Sequence, residues 1–365
     1  MINFDFFPSR RLAWYTAKSF LTRGLAVMFS LSLVLMMLNL LSESGKILAV
    51  PGNDNADVWH YVALRLPQIV AFAFPFSFLL GTLILFVTLN QNSEIIAMKA
   101  SGMSAHQLIA PLILTSLLLA GVSFAFNEGV VTKATRELSA WEGNDYRPVP
   151  PDKAVVSNVW ITVGDDMVRA RLVIGRGAAT QLDRVTIYER QANAVTRIID
   201  AEHAVQDRGA WQLQRVRVYD GAMNFVRRVP TQRALEGVDP GRFTLAKVDP
   251  ESRSFFALRR SLDELRSAGR QTDAVETGLW HKISEPLSTI LMPLLAAVAA
   301  FGLARSGKVL VRAALGMGLG FTYFVADNFS LAMGNVGAYP PLLAAWAPFL
   351  LFLLIGETVL VRSEE

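Results

Sequence analysis

Six apolar stretches decide most of what this chain can become. They run at about Phe20–Leu41, Val62–Leu89, Leu108–Phe126, Ile283–Leu303, Val309–Met333 and Leu342–Val361. A helix needs about 20 apolar residues to cross the hydrocarbon core of a bilayer. Each stretch therefore predicts a membrane-spanning helix, with Pro67 and Pro75 as kinks in the second, and Pro286 in the first turn and Pro293 inside the fourth. Three precede a long polar middle and three follow it. That middle, Asn127–Leu279, holds 23 of the 35 Lys and Arg and 21 of the 31 Asp and Glu. The flanks are nearly charge-free, while the middle has the composition of a water-soluble domain. The mean hydropathy of +0.35 and the 52% hydrophobic content are too high for a soluble protein of this size.

The near-balance of charge in the middle gives no footing for nucleic acid. With no cysteine, a disulfide framework and a thiolate metal site are excluded. Arg10, Arg11, Lys18 and Arg23 precede the first apolar run, but KILAVPG follows it where a cleavage site would need small residues, so the run reads as a retained anchor. Orientation follows from the basic residues of the short loops. With the N-terminus inside, the inner segments carry Arg10, Arg11, Lys18, Arg23, Lys99, Arg305, Lys308, Arg312 and Arg362; the short outer loops carry only Lys46. Both termini are then cytoplasmic, and three crossings place the polar middle outside, which in a Gram-negative bacterium is the periplasm.

The middle alternates as strands do. Val168, Ala170, Leu172 and Ile174 share one face, with Met167, Arg169 and Arg171 on the other, and LDRVTIYER continues the pattern with Val185 and Ile187. In AWQLQRVRVYDG, Trp211 and Leu213 take one parity and Val216 and Val218 the other, which a bulge near Gln214 would reconcile. Asp220-Gly221 reads as a hairpin turn. Several short strands argue an antiparallel sandwich or barrel, of jelly-roll, immunoglobulin-like or lipocalin-like form. Phe255–Ala268 is amphipathic through Leu258, Leu262 and Leu265, and Ser261 with Glu264 has capping-box spacing. A second helix from about Thr272 runs into the fourth span.

Between the second and third spans lies one polar break, NQNSEIIAMKASGMSAHQL. A helix over Ser93–Ala100 carries Ile95, Ile96 and Met98 on an apolar flank beside Glu94 and Lys99. Gly102 ends it in a left-handed cap, and Ser104 caps the next helix. Such a helix is either a connector at the headgroups or a knob for the groove of a cytosolic partner.

Other constellations point away from catalysis. GLARSGKV, Gly302–Val309, mimics a phosphate-binding loop, but Val309 stands where a hydroxyl must hold magnesium and a membrane helix where a strand must precede. His281 and Glu285, four apart, read as a local hydrogen-bonded pair, His106 as a solvated interface residue, and His203 as a residue of the strands. Asp327 and Asn328 in the fifth span and Glu357 in the sixth are intramembrane polar groups, which either bridge helices or serve a proton relay. Lys46, Arg65 and Lys282 share a depth near the outer leaflet. Clustered they suit an anionic headgroup, and apart they snorkel.

Three linked stretches resemble one family, the lipopolysaccharide export permeases of LptF/LptG type. NSEIIAMKASGMS resembles its cytoplasmic coupling helix. ALRRSLDELRSAGR through LWHKISEPLSTILMPLLA resembles its helical return into the fourth span. GFTYFVADNFSLAMGNVGAYPPLLAAWAP resembles its last two spans, and Ala326-Asp327-Asn328 with Tyr339-Pro340-Pro341 lies closer to the LptG branch than to LptF. The resemblance implies six transmembrane helices with an inserted all-β, jellyroll-like periplasmic domain: 1–126 for the first three helices with the coupling helix at about 93–100, 127–254 for the β domain, 255–279 for the return, and 280–365 for the last three. It implies a transport subunit that extracts lipopolysaccharide from the inner membrane toward the outer membrane. Its partners would be a paralogous permease, a cytosolic ATPase dimer and a periplasmic jellyroll bridge protein. No cofactor would be bound by this chain, ATP being used by the partner. Coupling would fall to Glu94, Ile95, Ile96, Met98, Lys99 and Gly102. The lysines that the branch carries at the outer end of the first span reduce here to Lys46, so headgroup contacts would fall to Lys46, Arg65, Arg136 and Lys282. The competing readings are an ion-coupled carrier working through Asp327 and a membrane anchor that recruits periplasmic partners.

Overall fold

The computed structural model describes residues 9–148, 155–175, 179–191, 194–207, 209–244, 249–267, 271–302 and 309–362. The phosphate-loop lookalike and Gly269 lie outside them, apart from Gly302 and Val309. The chain divides into two compact units. One comprises Met1–Leu41, Val62–Ala134 and Pro250–Glu365; the other comprises Ser42–Tyr61 and Thr135–Asp249.

The first unit is helical. Its elements are α1 (Arg10–Leu48), α2 (Asn55–Gln91), α3 (Glu94–Ala100) and α4 (Ala105–Phe126), then, after the inserted domain, α7 (Phe255–Ser267), α8 (Asp273–Ala297), α9 (Val309–Asn335) and α10 (Pro341–Arg362). The tail of α1 and the start of α2 belong to the second unit. Five of the described helical segments are long and apolar enough to cross a membrane: α1, α2, Ala105–Gly143, Asp273–Ala300 and α10. The remaining expected span, α9, is continuous and long enough at 27 residues, with Asp327 and Asn328 in its last third.

Spans one to four run longer than the apolar stretches alone predict. The third helix passes Phe126, takes a π turn over Asn127–Val131, and continues as α5 (Thr132–Gly143). The fourth starts at Asp273 and ends in a second π turn, Val298–Gly302. Hydropathy marks only the part of a helix that lipid surrounds; the turns beyond it have polar faces and leave no apolar signal. Ser261 and Glu264 do not cap α7: Ser261 lies inside the helix, its hydroxyl donating to the Ala257 carbonyl at 3.0 Å. The unit's core joins Phe20, Phe74 and Phe78 with Leu291, Leu294, Phe349 and Phe352. At the crossing of α1 and α2, Gly81 stands against backbone: a Cβ there would lie 2.7 Å from the Gly24 nitrogen and 2.8 Å from its Cα. Small residues permit such an approach between membrane helices.

The second unit is built on one antiparallel sheet: β1 (Val155–Val163), β2 (Asp166–Ile174), β3 (Gln181–Gln191), β4 (Ala194–Asp207), β5 (Ala210–Asp220) and β6 (Phe225–Ala234). The strand order is sequential, each strand pairing with its chain neighbours. Beneath one face lie Val168, Val185, Ala201, Leu213 and Val216, with Trp211 buried edge-on to Phe243 of the short α6 (Gly241–Thr244) and its indole N–H donating to the Val238 carbonyl at 2.9 Å.

The parity switch in β5 is real, but no bulge causes it. Asp200↔Arg217 and His203↔Gln214 belong to one register, so no residue is inserted. Instead Arg215 adopts a left-handed backbone, φ 53°, which turns the strand and lets Trp211 and Leu213 share the core with Val216 and Val218. Asn158 (φ 51°) in β1 and Arg184 (φ 49°) in β3 do the same. The pairings on either side place Asn158, Arg171, Arg184, Glu202, Arg215 and Pro230 at facing positions from β1 to β6. A single kink line thus crosses the whole sheet, and buried side chains change parity along it, as from Leu182 to Val185 and from Ala201 to Ala204.

Candidate functional site

The break between α2 and α4 folds as a seven-residue helix, which Ser93 opens in a left-handed backbone without a side-chain cap bond and which is capped at its C-terminal end. Gly102, at φ +87°, forms the left-handed cap: its N–H donates to the Lys99 carbonyl at 3.0 Å, and that of Met103 to the Met98 carbonyl at 3.2 Å. Ser104 then opens α4 with a capping box, exchanging bonds with Gln107. The two caps, one closing α3 and one opening α4, fix the turn between the helices. Ile95 and Met98 turn inward to the core shared by Leu89, Ala105 and Leu108. Ile96 is 63% exposed, with Ala97, Lys99 and Ala100 also on the outer side. Glu94 accepts from the Asn92 side chain at 3.1 Å and from the Tyr15 hydroxyl at 3.4 Å. Helical periodicity placed the three apolar residues on one flank; the structure divides them into anchors and an outer face. Beside the capping box, His106 is 3.2 Å from Glu357 near the end of α10, a partner 251 residues away.

Three of the four basic candidates have partners of their own. Lys46 pairs with Glu43 at 2.7 Å, and the other carboxylate oxygen of Glu43 accepts from the Tyr146 hydroxyl at 2.8 Å. Burial and that carboxylate push the Tyr146 hydroxyl pKa well above its ordinary value. Arg65 donates to Asn39 at 3.1 Å and to Gln68 at 2.5 Å. Lys282 is nearly buried, its side chain 9% exposed, and lies 3.6 Å from Glu128. Arg136 is exposed on α5 with no ion pair among the described residues. Lys46 and Arg136 face solvent; Arg65 and Lys282 are engaged inside the helical unit.

His281 is organised differently from its sequence spacing. Its Nδ1 is 3.9 Å from Glu285, beyond hydrogen-bond range, whereas Nε2 is 3.1 Å from Asp327 in α9. A local i,i+4 contact yields to a cross-helix one because Asp327, within the membrane stretch, needs a partner more.

Helices before and after an inserted antiparallel domain, with intramembrane polar bridges and a capped helix between the second and third spans, define a polytopic membrane protein of permease type. The chain belongs to the lipopolysaccharide export system permease LptF/LptG family, whose model matches residues 14–362. It is 26% identical to the lipopolysaccharide export system permease protein LptG of Escherichia coli K12, over 96% of this chain and 97% of that one. It is 25% identical to the Haemophilus influenzae protein of the same name, over 86% of this chain and 89% of that one.

Proposed function

We propose that this chain is the LptG-type subunit of a lipopolysaccharide exporter. It lifts the lipid from the inner membrane, works beside a paralogous permease, takes its power from a cytosolic ATPase dimer, and delivers to a periplasmic jellyroll bridge. The observation that carries the reading is α3, a capped helix that keeps Ile95 and Met98 for its own spans and turns Ile96, Ala97 and Lys99 outward. An amphipathic helix with such a divided face fits a groove on a partner. Glu94 and Lys99 supply charge beside it, and Gly102 fixes its end. The chain binds no cofactor of its own; ATP is bound and hydrolysed by the partner.

The first span supports a second permease. Only 17% of its apolar window is buried within the chain, against 72% for the span starting at Asp273, so α1 presents Phe29, Met37 and Leu41 to lipid or to another subunit. Lys46 and Arg136, both solvent-facing, are the contacts for anionic groups of the lipid, and Arg65 and Lys282 hold helices together within the helical unit. In this reading both termini are cytoplasmic and the β domain is periplasmic, which the excess of Lys and Arg in the inner loops supports.

Purification from membranes in mild detergent tests the whole reading. A nucleotide-hydrolysing subunit and a second permease should accompany the chain in fixed ratio. A chain that purifies alone and moves lipid alone would overturn it. For the orientation, a cysteine introduced at Asp207 should react with an impermeant reagent once the outer membrane is opened and the inner one is intact.

A further inference from the structure

The β domain carries, on the side of the sheet opposite its core, a pocket of about 490 Å³ whose charges do not cancel. Five arginines line it: Arg147, Arg169, Arg171, Arg184 and Arg217. Its acids are Asp183, Asp200 and Glu202, and each is already engaged. Asp183 accepts from His203 Nδ1 at 2.8 Å, Asp200 from Arg217 at 2.8 Å and from Thr186 at 3.3 Å, and Glu202 from Arg215 at 2.8 Å. Arg184 is left with Asp183 at 3.8 Å and the Asn144 amide oxygen; Arg171 pairs with Asp145 outside the pocket lining. Arg147 and Arg169 have no acidic partner among the described residues.

The kink line makes this crowding specific. Arg171 and Arg184 face each other across β2 and β3, between the pairs Ala170↔Val185 and Leu172↔Asp183. Like charges directly opposite destabilise a sheet, and these side chains are only 25% and 27% exposed. Burial lowers the Arg184 pKa, and the guanidinium groups of Arg171 and Arg147 lower it further. Guanidinium groups gathered this way match the oxygens of a phosphate or carboxylate, which accept paired hydrogen bonds.

Next to this cluster is a surface suited to a sugar ring. The row Trp160–Arg169–Thr186–Asp200–Arg217 crosses five strands in register. Trp160, 43% exposed, stacks on Tyr188 at 5.9 Å with 14° between the planes, and Arg169 lies 5.4 Å over the Trp160 ring. Thr186 and His203 add groups that bond hydroxyls.

We propose that this pocket binds an anionic saccharide, with Arg147, Arg171 and Arg184 on a phosphate or carboxylate and the Trp160 ring alongside the sugar. That the saccharide belongs to the exported glycolipid rests on the function proposed above; the anion site itself does not.

The test uses the full chain in phosphatidylcholine nanodiscs, titrated with glucose 6-phosphate and followed by saturation-transfer NMR. Glucose 6-phosphate should bind at least tenfold more tightly than glucose. Arg184→Gln should weaken it about tenfold, a loss of about 1.4 kcal/mol. Arg147→Gln, which removes an exposed side chain with no described acidic partner, should weaken it without lowering the melting temperature, and covers the case in which Arg184→Gln unfolds. Trp160→Ala should weaken glucose 6-phosphate and leave inorganic phosphate unchanged. Equal binding by wild type and both arginine variants would show an internal charge network only. Inorganic phosphate binding as tightly as the sugar phosphate would remove the saccharide, and equal competition by short-chain phosphatidylglycerol would make the site one for lipid headgroups. Each of these results overturns the proposal, and none bears on the co-purification of an ATPase.

Discussion

Lys282 in the fourth span lies 3.6 Å from Glu128 in the π turn after the third, and the same carboxylate accepts the Phe255 amide with both oxygens, at 2.7 and 2.9 Å. Glu128 therefore ties together the outgoing helix, the returning helix and the N-terminus of α7. Removing one partner of a buried pair leaves an uncompensated charge and costs about 3–5 kcal/mol. Lys282→Ala should lower the melting temperature of the detergent-solubilised protein markedly, and the double variant Glu128→Gln/Lys282→Met should recover part of that loss. A single variant that melts like wild type would mean that Lys282 is free for other work, including a lipid headgroup.

The division of α3 predicts two separable phenotypes. Ile96→Glu adds a charge on the outer side, where no core is disturbed. The protein should accumulate normally and lose its ATPase. Ile95→Ala or Met98→Ala empties volume in the core and should cost about 2–5 kcal/mol of stability. Glu94→Lys should behave like Ile96→Glu. Co-purification at matched expression separates the cases; normal ATPase association in both Ile96→Glu and Glu94→Lys would return α3 to the role of a connector.

Much of this architecture was legible in the sequence because lipid imposes a simple rule: a long apolar run is a span. The end of α3 and the start of α4 were legible because Gly102 and Ser104 are the residue types that left-handed caps and N-caps favour. The kink line was only glimpsed. Alternation in AWQLQRVRVYDG betrayed a break, but of Asn158, Arg184 and Arg215 only the asparagine is of a type that favours a positive φ, and their alignment depends on a register that only the folded sheet reveals. His281 was assigned to Glu285 because spacing along a helix is visible in a sequence; its actual partner, Asp327, comes from another helix. The arginine pocket was invisible for the same reason, since its residues are scattered from Arg147 to Arg217.

The His281–Asp327 contact distinguishes a structural bridge from a proton pathway. As a bridge between α8 and α9, its loss should cost about 1.5–3 kcal/mol, the worth of a hydrogen bond to a charged group. Asp327→Asn keeps the shape and most of the bonding. The variant should retain ATP-driven lipid release, with a modest fall in melting temperature. Complete loss of release at normal stability and assembly would favour the ion-coupled alternative.

In the β5–β6 turn, Asp220 accepts from the amides of Ala222 and Asn224 at 3.0 and 2.8 Å and from the Asn224 side chain at 3.1 Å. The Asn224 side chain and amide hold its carboxyl below the usual aspartate range. A depressed folded pKa means that the stabilisation is complete above the unfolded value, about 3.9, and disappears as pH falls through the folded one. The Asn224 amide should therefore become less protected from hydrogen exchange on acidification, after correction for intrinsic rates, and Asp220→Asn should abolish that pH dependence. A protection profile in the variant that still tracks pH like wild type would assign the effect elsewhere.

The last test concerns how α1 is held. Its apolar window is mostly uncovered, so the Gly24–Gly81 crossing is a disproportionate share of its attachment to α2. A methyl at Gly81 meets the Gly24 backbone, which no rotamer change can relieve, so the two helices must separate. A methyl at Gly24 meets instead the Phe78 ring, 2.4 Å away, and that ring is itself confined by Phe20 and Phe74 at centroid distances of 5.2 and 4.9 Å. Overpacking of this kind costs about 1–3 kcal/mol. Gly121 in α4 has nothing within 4 Å of its virtual Cβ and serves as the control, where alanine should be neutral or slightly stabilising. Gly81→Ala should thus reduce thermal stability and lower the yield of a disulfide engineered between α1 and α2, which can be read without background because the chain has no cysteine. Gly24→Ala should follow in the same direction, with part of the strain taken up by Phe78. If Gly81→Ala matches Gly121→Ala in both measurements, the close crossing does not hold α1, and its attachment must come from whatever covers its outer face.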